Sequence, residues 1–176
     1  MCSMKLIKEI KDLEVIGKDI TKSNEEYKIR QTACAIILNN KNNIAVISAP
    51  KSKNYNYILP GGGIEANENI LDGLKREVRE EVGCEIEIMK EIGQIIELRN
   101  KLNVKRISFC YLVRLVGQIG KTKYTKDEQD AGYNTLWLPI NEAIEVFTQI
   151  SQNNYIAEFS RKRDLSFLLE AKKLLK

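Results

Sequence analysis

Apolar and polar positions recur along this chain with two periods, and the switches between them predict its elements. Gln31 to Leu38 is largely apolar and runs into Asn39-Asn40-Lys41-Asn42-Asn43, which predicts a strand and then a turn. Ile44 to Ala49 predicts the returning strand, and Pro60-Gly61-Gly62-Gly63 is the strongest loop signal. The period then lengthens. Leu71, Leu74, Val78 and Val82 fall at i, i+3, i+7 and i+11, one apolar stripe of a helix. Asn69 is its expected N-cap, Asp72 suits the positive end of the helix dipole, and Gly83 supplies the stop.

Downstream, Ile86 and Ile88 alternate with glutamates, and Gly93 to Leu98 extends that strand. Ile107, Phe109, Tyr111, Val113 and Leu115 alternate cleanly and predict the best strand in the chain. Gly117 to Tyr133 is polar and charged and predicts a loop. Thr135 to Leu138 reads as a short strand, and Asn141 as the cap of a helix running to about Ile150. Residues 161–176 form an amphipathic helix with Leu165, Leu168, Leu169 and Leu175 on adjacent turns. Packing on the domain explains that face; a homodimer contact is the alternative. Strands before, between and after helices predict an α/β layered fold, and the length predicts a single domain over 1–176.

Composition narrows the function classes. The 176 residues are 43% hydrophobic and 30% charged, the balance of a globular chain that needs no metal or disulfide to fold. The net charge of +4 is spread along the sequence, apart from Arg161, Lys162 and Arg163. A duplex-binding protein concentrates such residues, so no nucleic-acid partner is expected. The longest apolar run, Ala33 to Leu38, is too short to span a bilayer, and Met1 to Ile10 lacks the core of a signal peptide. Cys2, Cys34, Cys84 and Cys110 form no C-x-x-C pair, which fits a reducing compartment and a cytoplasmic protein. The chain has no histidine. Ser-His-Asp and Cys-His chemistry are therefore excluded, leaving carboxylates, lysine, tyrosine or metal-bound water for acid–base work.

Glutamates concentrate where that chemistry needs them. Glu77, Glu80 and Glu81 lie at i, i+3 and i+4, so their carboxylates share one helix face opposite the apolar stripe. Crowded like charges cost a few tenths of a kcal/mol each in an isolated helix. A hard cation such as magnesium, which accepts one or two carboxylates with waters and phosphates, would reverse that cost. A solvated acidic face is the competing explanation. Glu65 and Glu68 lie in the loop before the helix, and Arg76 is placed to hold a carboxylate in a fixed fork. Gly61, Gly62 and Gly63 let backbone approach a ligand without a Cβ between, although no Walker-type lysine follows them.

In register, Gly62-x5-Glu68-x7-Arg76-Glu77-Val78-x-Glu80-Glu81-x-Gly83-Cys84 resembles the box of the Nudix hydrolases. Tyr57-Ile58-Leu59-Pro60-Gly61-Gly62-Gly63-Ile64-Glu65 is similar to the family's lead-in. Two positions depart from the pattern: Cys84 replaces an aliphatic residue, and Asn67 stands where many members have glycine. The resemblance implies a Nudix-type α/β/α sandwich with a mixed sheet and a loop–helix–loop box. It implies hydrolysis of a nucleoside diphosphate linked to another moiety: a triphosphate, a nucleotide sugar or a dinucleotide. The implied cofactor is Mg2+, with Mn2+ as a substitute. By the same resemblance Glu77, Glu80 and Glu81 are metal-binding and catalytic, and Glu68 and Arg76 a structural pair. Gly62 gives the tight fold of the loop and, with Gly61 and Gly63, meets the substrate.

Family members also take a base or ligand from a later loop. Asp127, Glu128 and Asp130 are candidates here, and Glu128 is preferred. Tyr57, Tyr111 and Trp137 are candidates to stack a base, in competition with core packing. The proline that ADP-ribose-cleaving members carry after the box is absent; the prolines are Pro50, Pro60 and Pro139. The alternative function is a Nudix-fold sensor that binds a nucleotide without cleaving it. Such proteins lose box glutamates, and this chain keeps all of them.

Overall fold

The computed structural model describes residues 4–52, 57–149 and 154–175. Among the described residues, eight strands and five α-helices follow one another: β1 (Leu6–Lys11), α1 (Asp12–Ile16), β2 (Lys28–Leu38), β3 (Ile44–Ser48), β4 (Tyr57–Ile58), β5 (Gly61–Gly63), α2 (Ile70–Glu81), β6 (Glu85–Arg99), β7 (Val104–Val116), α3 (Lys126–Asp130), β8 (Asn134–Leu138), α4 (Ile140–Gln149) and α5 (Tyr155–Leu174). The strands form one mixed sheet in the order β1-β6-β7-β2-β3-β4, with β5 added to β2 and β8 to β3. The two centre strands, β7 and β2, run parallel over eleven residues from Lys28–Val104 to Leu38–Arg114.

The sheet is buried on both faces, and alternation along β2 shows how. Cys34, Ile36 and Leu38 join a cluster with Phe147, Phe159 and Phe167 of α4 and α5. Ala33, Ala35 and Ile37 point the other way, to Leu74 and Val78 of α2. Helices therefore cover both faces, giving the expected α/β/α layering. The core of β7 is apolar on both faces from Cys110 to Val113, so the alternation read from its odd positions described only half of it.

Most expected elements form, with shifted edges. The helix of the glutamate cluster spans Ile70 to Glu81, with Asn69 as N-cap accepting a hydrogen bond from the Asp72 backbone N–H at 2.9 Å. Leu74 and Val78 are fully buried, but Leu71, on the first turn of the expected stripe, is 37% exposed. The triple-glycine segment is not an isolated loop. Gly61, Gly62 and Gly63 pair antiparallel with Cys34, Ala33 and Thr32, because glycines leave room for close strand approach. Within the expected loop from Gly117 to Tyr133, a Thr125–Glu128 capping box forms the short helix α3.

Helix α4 starts at Ile140, one residue before the expected cap Asn141, and the Ala143 N–H bonds to the Pro139 carbonyl. Its expected end near Ile150 lies outside the described residues. The last helix starts at Tyr155 rather than at 161, because the Asn154 side chain accepts from the Ile156 and Ala157 N–H groups. Leu168 is fully buried there, whereas Leu169 and Leu175 are exposed. Arg161, Lys162 and Arg163 are not a basic surface patch. Arg161 and Lys162 bind Glu158, and Arg163 is buried against Asp164. Among the described residues, no helix is long and apolar enough to cross a membrane.

Candidate active site

Strand β2 sets out the site. Its backbone carries β5, and β5 in turn touches the acidic face of α2. The Gly61 N–H donates to Glu81 Oε2 at 2.7 Å, anchoring the helix's last carboxylate to the glycine strand. Gly61 has φ 137, and a Cβ there would collide with the Ala33 carbonyl oxygen. At Gly62 a Cβ would enter the Glu77 carboxylate. These two glycines are what allow the strand and the glutamates to meet.

Arg76 organises the rest of the box. Its Nε and Nη2 donate to Glu68 Oε1 and Oε2, both at 3.0 Å, forming a two-pronged pair. Its Nη1 reaches Glu77 Oε1 at 2.8 Å and Glu80 Oε2 at 3.4 Å, and Nη2 also donates to the Gly63 carbonyl at 3.0 Å. The Glu65 N–H donates to Glu68 Oε2 at 3.1 Å, which closes the loop between β5 and α2. Asn67 lies in that loop with φ 69, a left-handed conformation that asparagine tolerates. Cys84 is buried, and burial pushes its thiol up to about 11, so it fills an apolar position rather than a reactive one.

Gly61, Gly62, Gly63, Glu77, Glu81 and Glu128 line one cleft of about 610 Å³. Of the three acidic candidates near α3, Glu128 is the one on its wall. Its carboxylate accepts from the Thr125 N–H at 2.7 Å, so the cap of α3 holds it in place. Glu80 lies on the same helix face, half-exposed and tied to Arg76. Tyr57 packs against the apolar core beneath α4 and α5, and Tyr111 and Trp137 against the core beneath α2. Core packing therefore accounts for all three aromatic candidates.

The electrostatics are those of crowded carboxylates. Burial raises the Glu77 carboxyl above its ordinary range; Arg76 opposes the shift, and Glu80 and Glu128 add to it. Glu81 is only 4% exposed. Burial raises it well above the usual carboxylate range; the Gly61 N–H works against this, while Glu77, Glu128 and Glu80 reinforce it. Glu68 moves the other way, lowered chiefly by its hydrogen bonds from Arg76. Among the described residues, no three His, Cys, Asp or Glu side chains converge into a ready-made metal cage. Arg76 engages Glu77 and the Gly61 N–H engages Glu81. The donors are all hard oxygens, however, and a magnesium-type ion needs only one or two of them when water and phosphate complete its shell. The residues fit such an ion in the presence of substrate.

The cleft continues past the glutamates to residues that the sequence patterns did not single out for function: Arg30, Arg106, Ser160 and Tyr133, together with Arg163. They come from β2, β7, α5 and the segment before β8. A signal existed for two of them, since Arg30 and Arg106 are charged side chains inside otherwise strand-like runs. Only the pairing of β2 with β7 shows that they are neighbours.

Comparison with known proteins agrees with this geometry. The NUDIX domain family model matches residues 28–159. An 8-oxo-dGTP diphosphatase of Buchnera aphidicola subsp. Schizaphis graminum is 31% identical over 125 residues, covering 68% of this chain and 85% of that protein. The 8-oxo-dGDP phosphatase NUDT18 of Danio rerio is 28% identical over 114 residues, 62% of this chain and 33% of its own length. The mouse NUDT18 match is 27% identical and covers 38% of that protein, so this chain spans little more than a third of the NUDT18 proteins. Among solved structures, the Escherichia coli ORF135 protein superposes with a TM-score of 0.60 at 18% identity, covering 85% of this chain and 92% of that one. The MutT protein of Methanosarcina mazei Go1 gives 0.57 at 19% identity, covering 88% of this chain and all of that one. At such identities the superpositions speak for the fold alone. With its box geometry, its layered mixed sheet and a family match across most of its length, the chain belongs to the Nudix family.

Proposed function

We propose that this protein hydrolyses a diphosphate linkage in a nucleoside diphosphate derivative, with Mg2+ as cofactor and Mn2+ able to replace it. The observation that carries this reading is the meeting of Glu77 and Glu81 with Gly61 to Gly63 on the wall of one cleft. Glu77, Glu80 and Glu81 would hold the ion, and the ion would neutralise phosphate charge and acidify a bound water. Arg76 fixes Glu77 and Glu80, and Glu68 fixes Arg76, so the carboxylates are oriented before substrate arrives. At Gly63, where nothing lies within 4 Å of the position a Cβ would take, the glycine strand would admit phosphate close to the backbone. Glu128, held by its cap on the cleft wall, would take the proton of the attacking water.

The names of the relatives make oxidised guanine nucleotides the first compounds to try, beside nucleoside triphosphates, nucleotide sugars and dinucleotides. In a panel of these with Mg2+ and released phosphate as readout, at least one is expected to be cleaved. Glu80→Gln or Glu81→Gln should lower turnover of that compound by at least about 100-fold, the scale of a lost acid–base or charge-stabilising group. Unchanged turnover in both variants, with circular dichroism showing them folded, would overturn the reading.

A further inference from the structure

On the α5 face of the sheet, the same cleft is walled by arginines. Arg30 on β2 stands opposite Arg106 on β7, and Arg106 stands opposite Glu97 on β6, one charged rung across three strands. Alternation places these side chains on the face of Cys34 and Cys110, where α5 brings Arg163 and Asp164. The next rung is polar too, with Thr32 Oγ1 and Ser108 Oγ at 2.8 Å. Arg30 is exposed at the mouth, Arg106 is half-buried and Arg163 is buried, so guanidiniums run from the rim to the floor.

Among the described residues, two carboxylates, Glu97 and Asp164, pair with three of the arginines of this face. Glu97 takes Arg99 at 2.9 Å and lies 3.8 Å from Arg106, and Asp164 takes Arg163 at 2.7 Å. Asp164 also accepts the Leu59 N–H at 3.1 Å. Arg30 engages no carboxylate among the described residues. Arg30, Arg106 and Arg163 therefore set guanidiniums along one wall of a cleft whose other wall is acidic. Planar guanidiniums match phosphate oxygens in a fixed fork.

We propose that Arg30 and Arg106, with Arg163 on the floor, bind a phosphate group of the substrate that is not part of the attacked linkage. This assignment rests on the hydrolase reading above and specifies the substrate class: a nucleoside diphosphate derivative with an additional phosphate. That phosphate has two sources, the end of a triphosphate chain or a phosphoester on a ribose. In either case the acidic wall acts on one linkage while the basic wall holds the other anion and sets the register.

Calorimetric titration with inorganic phosphate, in EDTA and without metal, tests the subsite independently of turnover. Wild-type protein is expected to bind phosphate saturably and more weakly as salt rises. Arg30→Gln, at an exposed position, and Arg106→Lys, which keeps a charge beside Glu97 but loses the fork, should each weaken binding about 10-fold. Glu80→Gln should leave it unchanged. Absence of saturable binding, or equal affinity in both arginine variants, overturns the proposal. Substrate pairs then separate the sources: dGTP against dGDP, and 2′-phospho-ADP-ribose against ADP-ribose. The phosphorylated member of one pair should have the higher kcat/KM, and that preference should fall about 10-fold in Arg30→Gln. Hydrolysis without phosphate binding sinks this subsite alone; phosphate binding without hydrolysis of any panel member sinks the hydrolase reading alone.

Discussion

Arg76 shows how one side chain can organise a site. Its guanidinium reaches Glu68, Glu77, Glu80 and the Gly63 carbonyl, so it ties the loop to the helix and sets the spacing of two carboxylates. Glu68 and Glu77 beside it carry pKa shifts of opposite sign for one reason, the balance of burial against that cation. Glu77 is raised because burial outweighs Arg76, and Glu81 is raised without any such cation beside it. Glu68 is lowered because the two-pronged pair dominates. A carboxyl lowered on folding stabilises the protein above its unfolded pKa and loses that contribution as pH falls through the folded one. Glu68→Gln should therefore lower Tm at neutral pH, and the difference from wild type should shrink toward zero as pH falls through and below the ordinary carboxylate range. Thermal melts across that range check this; a gap that stays constant would contradict it. At this scale the sequence was most informative. Spacing alone put Glu77, Glu80 and Glu81 on one face, and the family resemblance paired Glu68 with Arg76. The Gly61 tie to Glu81 was not legible, because it depends on β5 joining the sheet.

At the scale of elements, α2 is fixed by a narrower apolar stripe than its sequence suggested. Leu74 and Val78 are fully buried against β2, whereas Leu71 lies at the solvent edge of the first turn. Leu74→Ala should cost about 2–5 kcal/mol in denaturant unfolding, as a buried truncation does. Leu71→Ala should stay within about 0.5 kcal/mol, the range of surface changes. Equal losses would show that the helix docks differently. Periodicity cannot tell an interior stripe from one whose end overhangs the sheet, since both have the same spacing. The same limit explains the glycine segment. A Gly-Gly-Gly run signals a turn in isolation, and only the neighbouring β2 backbone turns it into a strand. The short α3 was hidden for another reason: its five residues hold together through the Thr125–Glu128 capping box, with no buried side chain to mark it.

Across the whole molecule, the mixed sheet separates two chemistries and a single cleft rejoins them. The α2 face supplies glutamates, the α5 face supplies arginines, and the strands between them carry apolar side chains to both layers. The layered α/β plan was legible from alternating patterns. The basic wall was not, because Arg30, Arg106 and Arg163 are far apart in sequence and meet only through the parallel β2–β7 pairing and the docking of α5. In the sequence Arg163 is one of the basic run Arg161-Lys162-Arg163, and only the fold shows that its side chain lies inside against Asp164. What the account depends on is that the carboxylates of α2 hold a divalent ion against substrate phosphate. Electron paramagnetic resonance of Mn2+ with a non-hydrolysable nucleoside diphosphate analogue measures that directly. Wild-type protein is predicted to bind the ion, and Glu77→Gln and Glu81→Gln to weaken binding at least about 10-fold, the effect of a lost charged ligand. Equal Mn2+ affinity in the wild type and both variants would contradict it.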